Sequence, residues 1–198
     1  MSLFIAISLP ESTSETILTT IRDKEVPEEL WEKKEDLHIT LLFLQKGNPE
    51  LEYIQSIKDR LKKLSFFPFR IKIEGVEYWT LKENRQILHL SVKPSKELIT
   101  LQSEIVSLIP EVPKSTHEFK PHISLVRSSR ITQSKLEELK NKFSSFSLEP
   151  FTVSQIHLYI GDRRKEVEDN KRNRYRVVGS FIFCCIVETT VSEFPSFP

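Results

Sequence analysis

The chain has 198 residues, 38% apolar and 29% charged, enough for one large domain or two small lobes around a shared core. Its 29 Lys and Arg against 28 Asp and Glu leave a net charge of +1, so bulk charge gives no support for a nucleic-acid partner and only a local patch could hold one. The two cysteines, Cys184 and Cys185, are adjacent in sequence, which excludes a disulfide framework and fits a reducing cytoplasm; no CxxC or HExxH spacing is present, and no metal is expected.

Leu3 to Leu9 is apolar, lacks a basic leader and stops at Pro10, so it reads as a first strand and not as a signal peptide. Ser12 to Arg22 places Ile17, Leu18 and Ile21 at helical spacing. Leu37 to Leu44 is a near-continuous strand. Pro49 to Leu64 is a helix with Leu51, Ile54, Ile57, Leu61 and Leu64 on one face. Phe69 to Trp79 alternates as a single half-buried strand, and Ile87 to Val92 is the next. Ser95 to Ile109 is a helix closed by Pro110, Pro121 to Arg127 a strand, and Thr132 to Phe146 a helix. Phe151 to Ile160 and Tyr175 to Phe183 are the last strands, joined by the charged loop Asp162 to Arg174. No apolar run approaches the roughly 20 residues of a membrane span. This order predicts an α+β fold of two similar lobes within one domain, residues 1–183, followed by a tail, Cys184 to Pro198, that carries no reading.

The chemistry lies in two strands. Residues i and i+2 share a strand face, so His38 projects with Thr40, and His122 with Ser124. An imidazole moves protons near neutral pH, and a hydroxyl donates to a phosphate oxygen. Two such units facing each other supply both halves of a general acid–base reaction. A bare H-x-S/T is weak, because His89-Leu90-Ser91 also fits. The longer H-x-T/S-L occurs only at His38 and His122, 84 residues apart, one per lobe. Arg127, five residues beyond His122, could reach a phosphate from the strand end.

These residues resemble the 2H phosphoesterase superfamily, in particular its RNA 2′,3′-cyclic phosphodiesterase (2′-5′ RNA ligase-like) branch. His38-Ile39-Thr40-Leu41-Leu42-Phe43 is similar to the family's first motif, H-x-T-L-x-F, and His122-Ile123-Ser124-Leu125-Val126-Arg127 to its second. Trp31 before the first motif and Phe119-Lys120-Pro121-His122 at the second agree in context. The resemblance implies antiparallel-rich sheets with helices outside, a cleft between the lobes, no cofactor or metal, His38 and His122 as catalysts, and Thr40, Ser124 and Arg127 as phosphate ligands. It implies Phe43 as a base-stacking or pocket-wall residue. Leu42 and Gln45 depart from the basic residue and glycine that often flank that Phe.

The expected reaction is hydrolysis of an RNA-terminal 2′,3′-cyclic phosphate to a 2′-phosphate by a cytoplasmic monomer, with 2′-5′ ligation as its reverse. His122 is written as the base and His38 as the acid, an order the sequence itself does not decide. The alternatives are another cyclic phosphate or a 2′-5′ linked oligonucleotide at the same site, or a non-catalytic RNA- or nucleotide-binding module. Strand parity sets Phe43 and Arg127 on the face opposite their histidines unless the strands bulge. His89 is a competing cleft histidine; His117 and His157 read as structural or exposed. The basic stretches within Asp162 to Arg174 read as a solvated hairpin loop or as an arm for RNA phosphates.

Overall fold

The computed structural model describes residues 1–81, 85–113, 118–161 and 174–183. His117, most of the 162–174 loop and the tail from Cys184 lie outside them. Among the described residues the chain runs β1 (Ser2–Ser8), α1 (Glu11–Ile21), β2 (His38–Lys46), α2 (Leu51–Leu61), β3 (Phe69–Ile71), β4 (Ile73–Thr80), β5 (Gln86–Val92), α3 (Lys96–Leu108), β6 (His122–Ser128), α4 (Gln133–Lys142), β7 (Phe151–Val153), β8 (Gln155–Gly161) and β9 (Tyr175–Ile182). Two of the helices start where the sequence offers caps: Ser95 Oγ accepts from Leu98 N, and Thr132 Oγ1 from Lys135 N. Among the described residues no helix is long and apolar enough to cross a membrane.

Seven strands form a mostly antiparallel sheet in the order β4-β5-β6-β2-β1-β8-β9. Its two lobes are β6-β5-β4 and β2-β1-β8-β9. They exchange strands relative to the order of the chain: β5 and then β4, from the first half, extend the sheet outward from β6, whereas β8 and then β9, from the second half, extend it outward from β1. Two expected strands are each broken in two. Phe69 to Trp79 divides into β3 and β4, and Phe151 to Ile160 into β7 and β8. The reason is a change of partner, since β3 pairs with β7 in a small second sheet while β4 and β8 enter the large one. At the kink of β4, Gly75 sits at φ +62° opposite a register shift, a conformation that suits glycine.

The sheet has a core face and a site face. Leu3, Ile5 and Ile7 of β1, Ile39 and Leu41 of β2, and Leu88 and Leu90 of β5 pack with Ile17, Ile57, Leu101 and Leu136 of the four helices. Residues of opposite parity, Phe4 and Ala6 of β1 with Tyr159 of β8, form a separate buried cluster on the other face.

The lobes meet at one rung. Between β2 and β6 the sole bridging pair is Ile39 with Ile123. Further along β6 the edge is taken by the connector that precedes β2. Trp31 bridges Val126, and Glu32 N donates to Leu125 O at 2.8 Å. This wedge separates β2 from β6 beyond the rung.

Candidate active site

Both histidines stand at that junction. The antiparallel sense of the Ile39–Ile123 rung sets His38 toward Ser124 and Thr40 toward His122 across the seam. The two isoleucines, fully buried, point into the core, so the four polar side chains point to the site face of the sheet.

Each imidazole is oriented by its own backbone. His38 Nδ1 lies 2.7 Å from Asp36 O, and His122 Nδ1 lies 2.9 Å from Lys120 O. A carbonyl only accepts, so Nδ1 carries the hydrogen and donates, leaving Nε2 as the unprotonated nitrogen of each ring. Desolvation dominates the electrostatics. Burial first, with the charges of Arg127, His122 and Arg174, pushes the pKa of His38 down to about 4. Burial also lowers that of His122, against the opposing hydrogen bond to Lys120. The ring of His38 is packed by Phe4 at 5.1 Å and edge-on by Tyr175 at 4.9 Å. Trp79 meets His122 edge-on at 4.5 Å.

Phe43 and Arg127 lie on the site face with the histidines. Between Ala6↔Thr40 and Ile5↔Leu42 the register slips by one, leaving Leu41 as an extra residue. Between His89↔Ser124 and Leu88↔Val126 it slips likewise, leaving Leu125. The leucine of each H-x-T/S-L motif is therefore a β-bulge, and each bulge resets the parity of the residues beyond it. Leu41 and Leu42 both turn to the core, as do Leu125 and Val126, and the next residue returns to the site face. The bulged carbonyls find other partners: Glu32 N at Leu125 O, and Gln102 Nε2 at Leu41 O, 3.4 Å. Phe43 pairs with Phe4, their rings 5.4 Å apart, and is 51% exposed. Arg127 Nη2 donates to Ser124 Oγ at 2.7 Å.

A buried acid organises the basic groups. Glu32, 5% exposed, holds Arg174 Nη1 at 2.9 Å and lies 3.7 Å from Arg127 Nε. Burial raises its pKa while both arginines oppose the shift. Asp36, also buried, accepts from the backbone N–H of Arg174 and of Tyr175. The residue that presents its carbonyl to His38 thus also anchors the start of β9.

Motif reading missed Phe4, Tyr159 and Tyr175, the walls around His38, and Trp79 and Glu32. The alternation of β1 and β8 carried a signal for Phe4 and Tyr159. Nothing local marked Glu32 or Trp79. His89 lies on the site face, its ring 5.5 Å from that of His122. His157 is buried, with Nδ1 2.9 Å from Ser180 Oγ. Of the basic loop, only Arg174 is among the described residues. Among those residues no cluster of His, Cys, Asp or Glu is placed to hold a metal ion.

The fold is shared with solved structures. Over 92% of this chain and 96% of the other, it superposes on Escherichia coli LigT in its apo form with a TM-score of 0.67 at 23% identity. A Thermus thermophilus protein, TT0787, superposes over 92% and 98% with a TM-score of 0.64 at 22% identity. A family model of the 2′-5′ RNA ligase superfamily matches residues 9–165. The chain belongs to that superfamily. Among its relatives, an Archaeoglobus fulgidus protein named RNA 2′,3′-cyclic phosphodiesterase is 28% identical over 160 residues, 80% of this chain and 89% of the relative. A Bacillus subtilis (strain 168) protein of the same name is 23% identical over 171 residues, 83% and 92%.

Proposed function

We propose that this protein is an RNA 2′,3′-cyclic phosphodiesterase that opens the terminal cyclic phosphate by two-histidine acid–base catalysis. The observation that carries the reading is the Ile39–Ile123 rung, which brings two imidazole–hydroxyl pairs to one seam. Relatives that carry the activity in their names support the substrate class.

In the proposed step water attacks phosphorus in line with the 3′-oxygen. One Nε2 takes the proton of the attacking water. The bond from phosphorus to O3′ breaks, and the other imidazole, protonated, gives its proton to O3′. The products are a 2′-phosphate and a free 3′-hydroxyl. Deeper burial makes His38 the harder of the two to protonate in the free enzyme, which favours it as base and His122 as acid. That reverses the order written from the sequence. The anionic phosphate between the rings favours the imidazolium the acid needs. Thr40 and Ser124 hydrogen-bond the non-bridging oxygens. Because Ser124 Oγ already accepts from Arg127, its own hydrogen is directed outward to donate. Arg127 adds charge beside it, and Phe43 offers an exposed ring to the terminal base. Run backwards, with a 5′-hydroxyl in place of water, the same site makes a 2′-5′ linkage. All of these groups come from one chain, so a monomer suffices.

The test is an oligoribonucleotide ending in a 2′,3′-cyclic phosphate, incubated with the protein in the presence of a chelator. A 2′-phosphate product is expected. A 3′-phosphate product, or a strict metal requirement, would refute the mechanism.

A further inference from the structure

A cavity of about 430 Å³ opens on the β4–β5–β6 side of the site face, against the segment that leads into β6. That is the size of a small-molecule pocket, roughly 300–1,000 Å³. Its floor is aromatic. The rings of Trp79 and His89 are 3.9 Å apart at a 33° tilt, and the edge contact of Trp79 with His122 joins the cavity to the phosphate site. Glu77, Ser91, Glu118 and Lys120 supply polar wall. His89 is only 3% exposed, its ring held against Trp79 and the backbone of Ile87. Burial, then the neighbouring His122, holds its pKa at about 4, so the ring is neutral at pH 7.

We propose that this cavity seats a nucleobase, the one immediately 5′ of the nucleoside that bears the cyclic phosphate. The inference rests on the phosphodiesterase reading above. Two aromatic stations flank the seam: Phe43 with Phe4 on the His38 side, and Trp79 with His89 on the His122 side. A ribose whose 2′,3′ edge lies between the histidines sends its base and its 5′-phosphate in different directions. Its own base occupies one station, and the 5′-linked neighbour reaches the other. Beyond the two rings the lining is largely apolar, with Val92, Pro94, Phe119 and Pro121, a surface that suits a planar base better than a backbone phosphate. The carboxylates of Glu77 and Glu118 accept from exocyclic amino groups. Lys140 holds Glu77 at 2.9 Å, and Glu77 pairs in register with His89, which in turn pairs with Ser124. The recognised base is thus tied, strand by strand, to a proposed phosphate ligand.

The experiment compares kcat/KM for a dinucleotide ending in a 2′,3′-cyclic phosphate with that for a mononucleoside 2′,3′-cyclic phosphate. The ratio cancels any general effect on His122. The wild type favours the dinucleotide. Trp79→Ala brings the ratio toward one, a fall of about 5- to 150-fold if one stacked base is lost. Trp79→Phe keeps an aromatic face and most of the ratio. An unchanged ratio in a folded Trp79→Ala protein overturns the subsite and leaves the phosphodiesterase reading intact. If the wild type turns over neither compound, that reading fails, and the subsite is judged by titrating a dinucleotide 3′-phosphate against tryptophan fluorescence. Saturable quenching that vanishes in Trp79→Ala supports it, the other tryptophan, Trp31, being buried. No quenching overturns it.

Discussion

Arg127 reaches Ser124 at 2.7 Å because Leu125 bulges between them. In a regular strand, residues three apart would point to opposite faces. Here one extra residue turns a guanidinium back over the hydroxyl that the proposed mechanism uses.

Arg127→Gln removes the charge beside the phosphate site. A charge-assisted hydrogen bond is worth about 1.5–3 kcal/mol, so KM for a cyclic-phosphate substrate should rise about 10- to 150-fold. Ser124→Ala added to it should cost less than the two changes summed, because the pair acts together. Steady-state kinetics on the four proteins of the cycle measures this. Full additivity with no change in KM would place Arg127 outside the site.

His38→Ala and His122→Ala should each lower kcat by about 10²–10⁴ with the circular dichroism spectrum unchanged. If either folded variant keeps most of the wild-type rate, two-histidine catalysis is wrong.

The free enzyme holds both histidines below the usual 6.5, His38 at about 4. The base must be neutral and the acid protonated, so both limbs of the kcat/KM profile fall at or below about pH 6.5. The optimum therefore lies on the acid side of neutrality. An optimum above pH 7 would contradict the pairing. Stability has its own sign. His38 and His89 fold in the neutral form, and their folded pKa lies below the unfolded value. Their contribution is present above pH 6.5 and is lost as pH falls toward 4. The urea midpoint should drop across that window, and less so in His89→Gln.

Glu32→Ala leaves Arg127 and Arg174 without their shared carboxylate. Breaking a buried ion pair costs about 3–5 kcal/mol, reduced here toward the lower figure because both arginines are partly exposed. Thermal melting should show the loss, and KM should rise as Arg127 loses its anchor. An unchanged melting temperature would mean that Glu32 organises nothing.

The histidines and hydroxyls were legible from strand parity, since His38 with Thr40 and His122 with Ser124 need only local geometry. The helices were legible from apolar spacing, with the starts of two set by Ser95 and Thr132. For Phe43 and Arg127 the same parity rule left the face conditional on a bulge, which the sequence does not mark plainly. The doubled core residues Leu41-Leu42 and Leu125-Val126 are the trace of each bulge, and two consecutive apolar residues in a strand also arise without one. The breaks at Lys72 and Ser154 were hidden for a related reason. Each lies where a strand changes partner, and the partner is far away in sequence. Glu32 belongs to no motif, and only the pairing of its backbone with the Leu125 bulge brings it to the arginines.

The single rung between Ile39 and Ile123 has a mechanical meaning. Thr40 is fastened to Ala6 on its outer side and Ser124 to His89 on its own, so each motif rides on a rigid half-sheet. Across the seam the ladder itself is short, and the halves are held instead by the Trp31–Glu32 connector and by one buried core that runs continuously beneath both. The same stitch that aligns the two histidines thus fixes them from opposite sides of a single core.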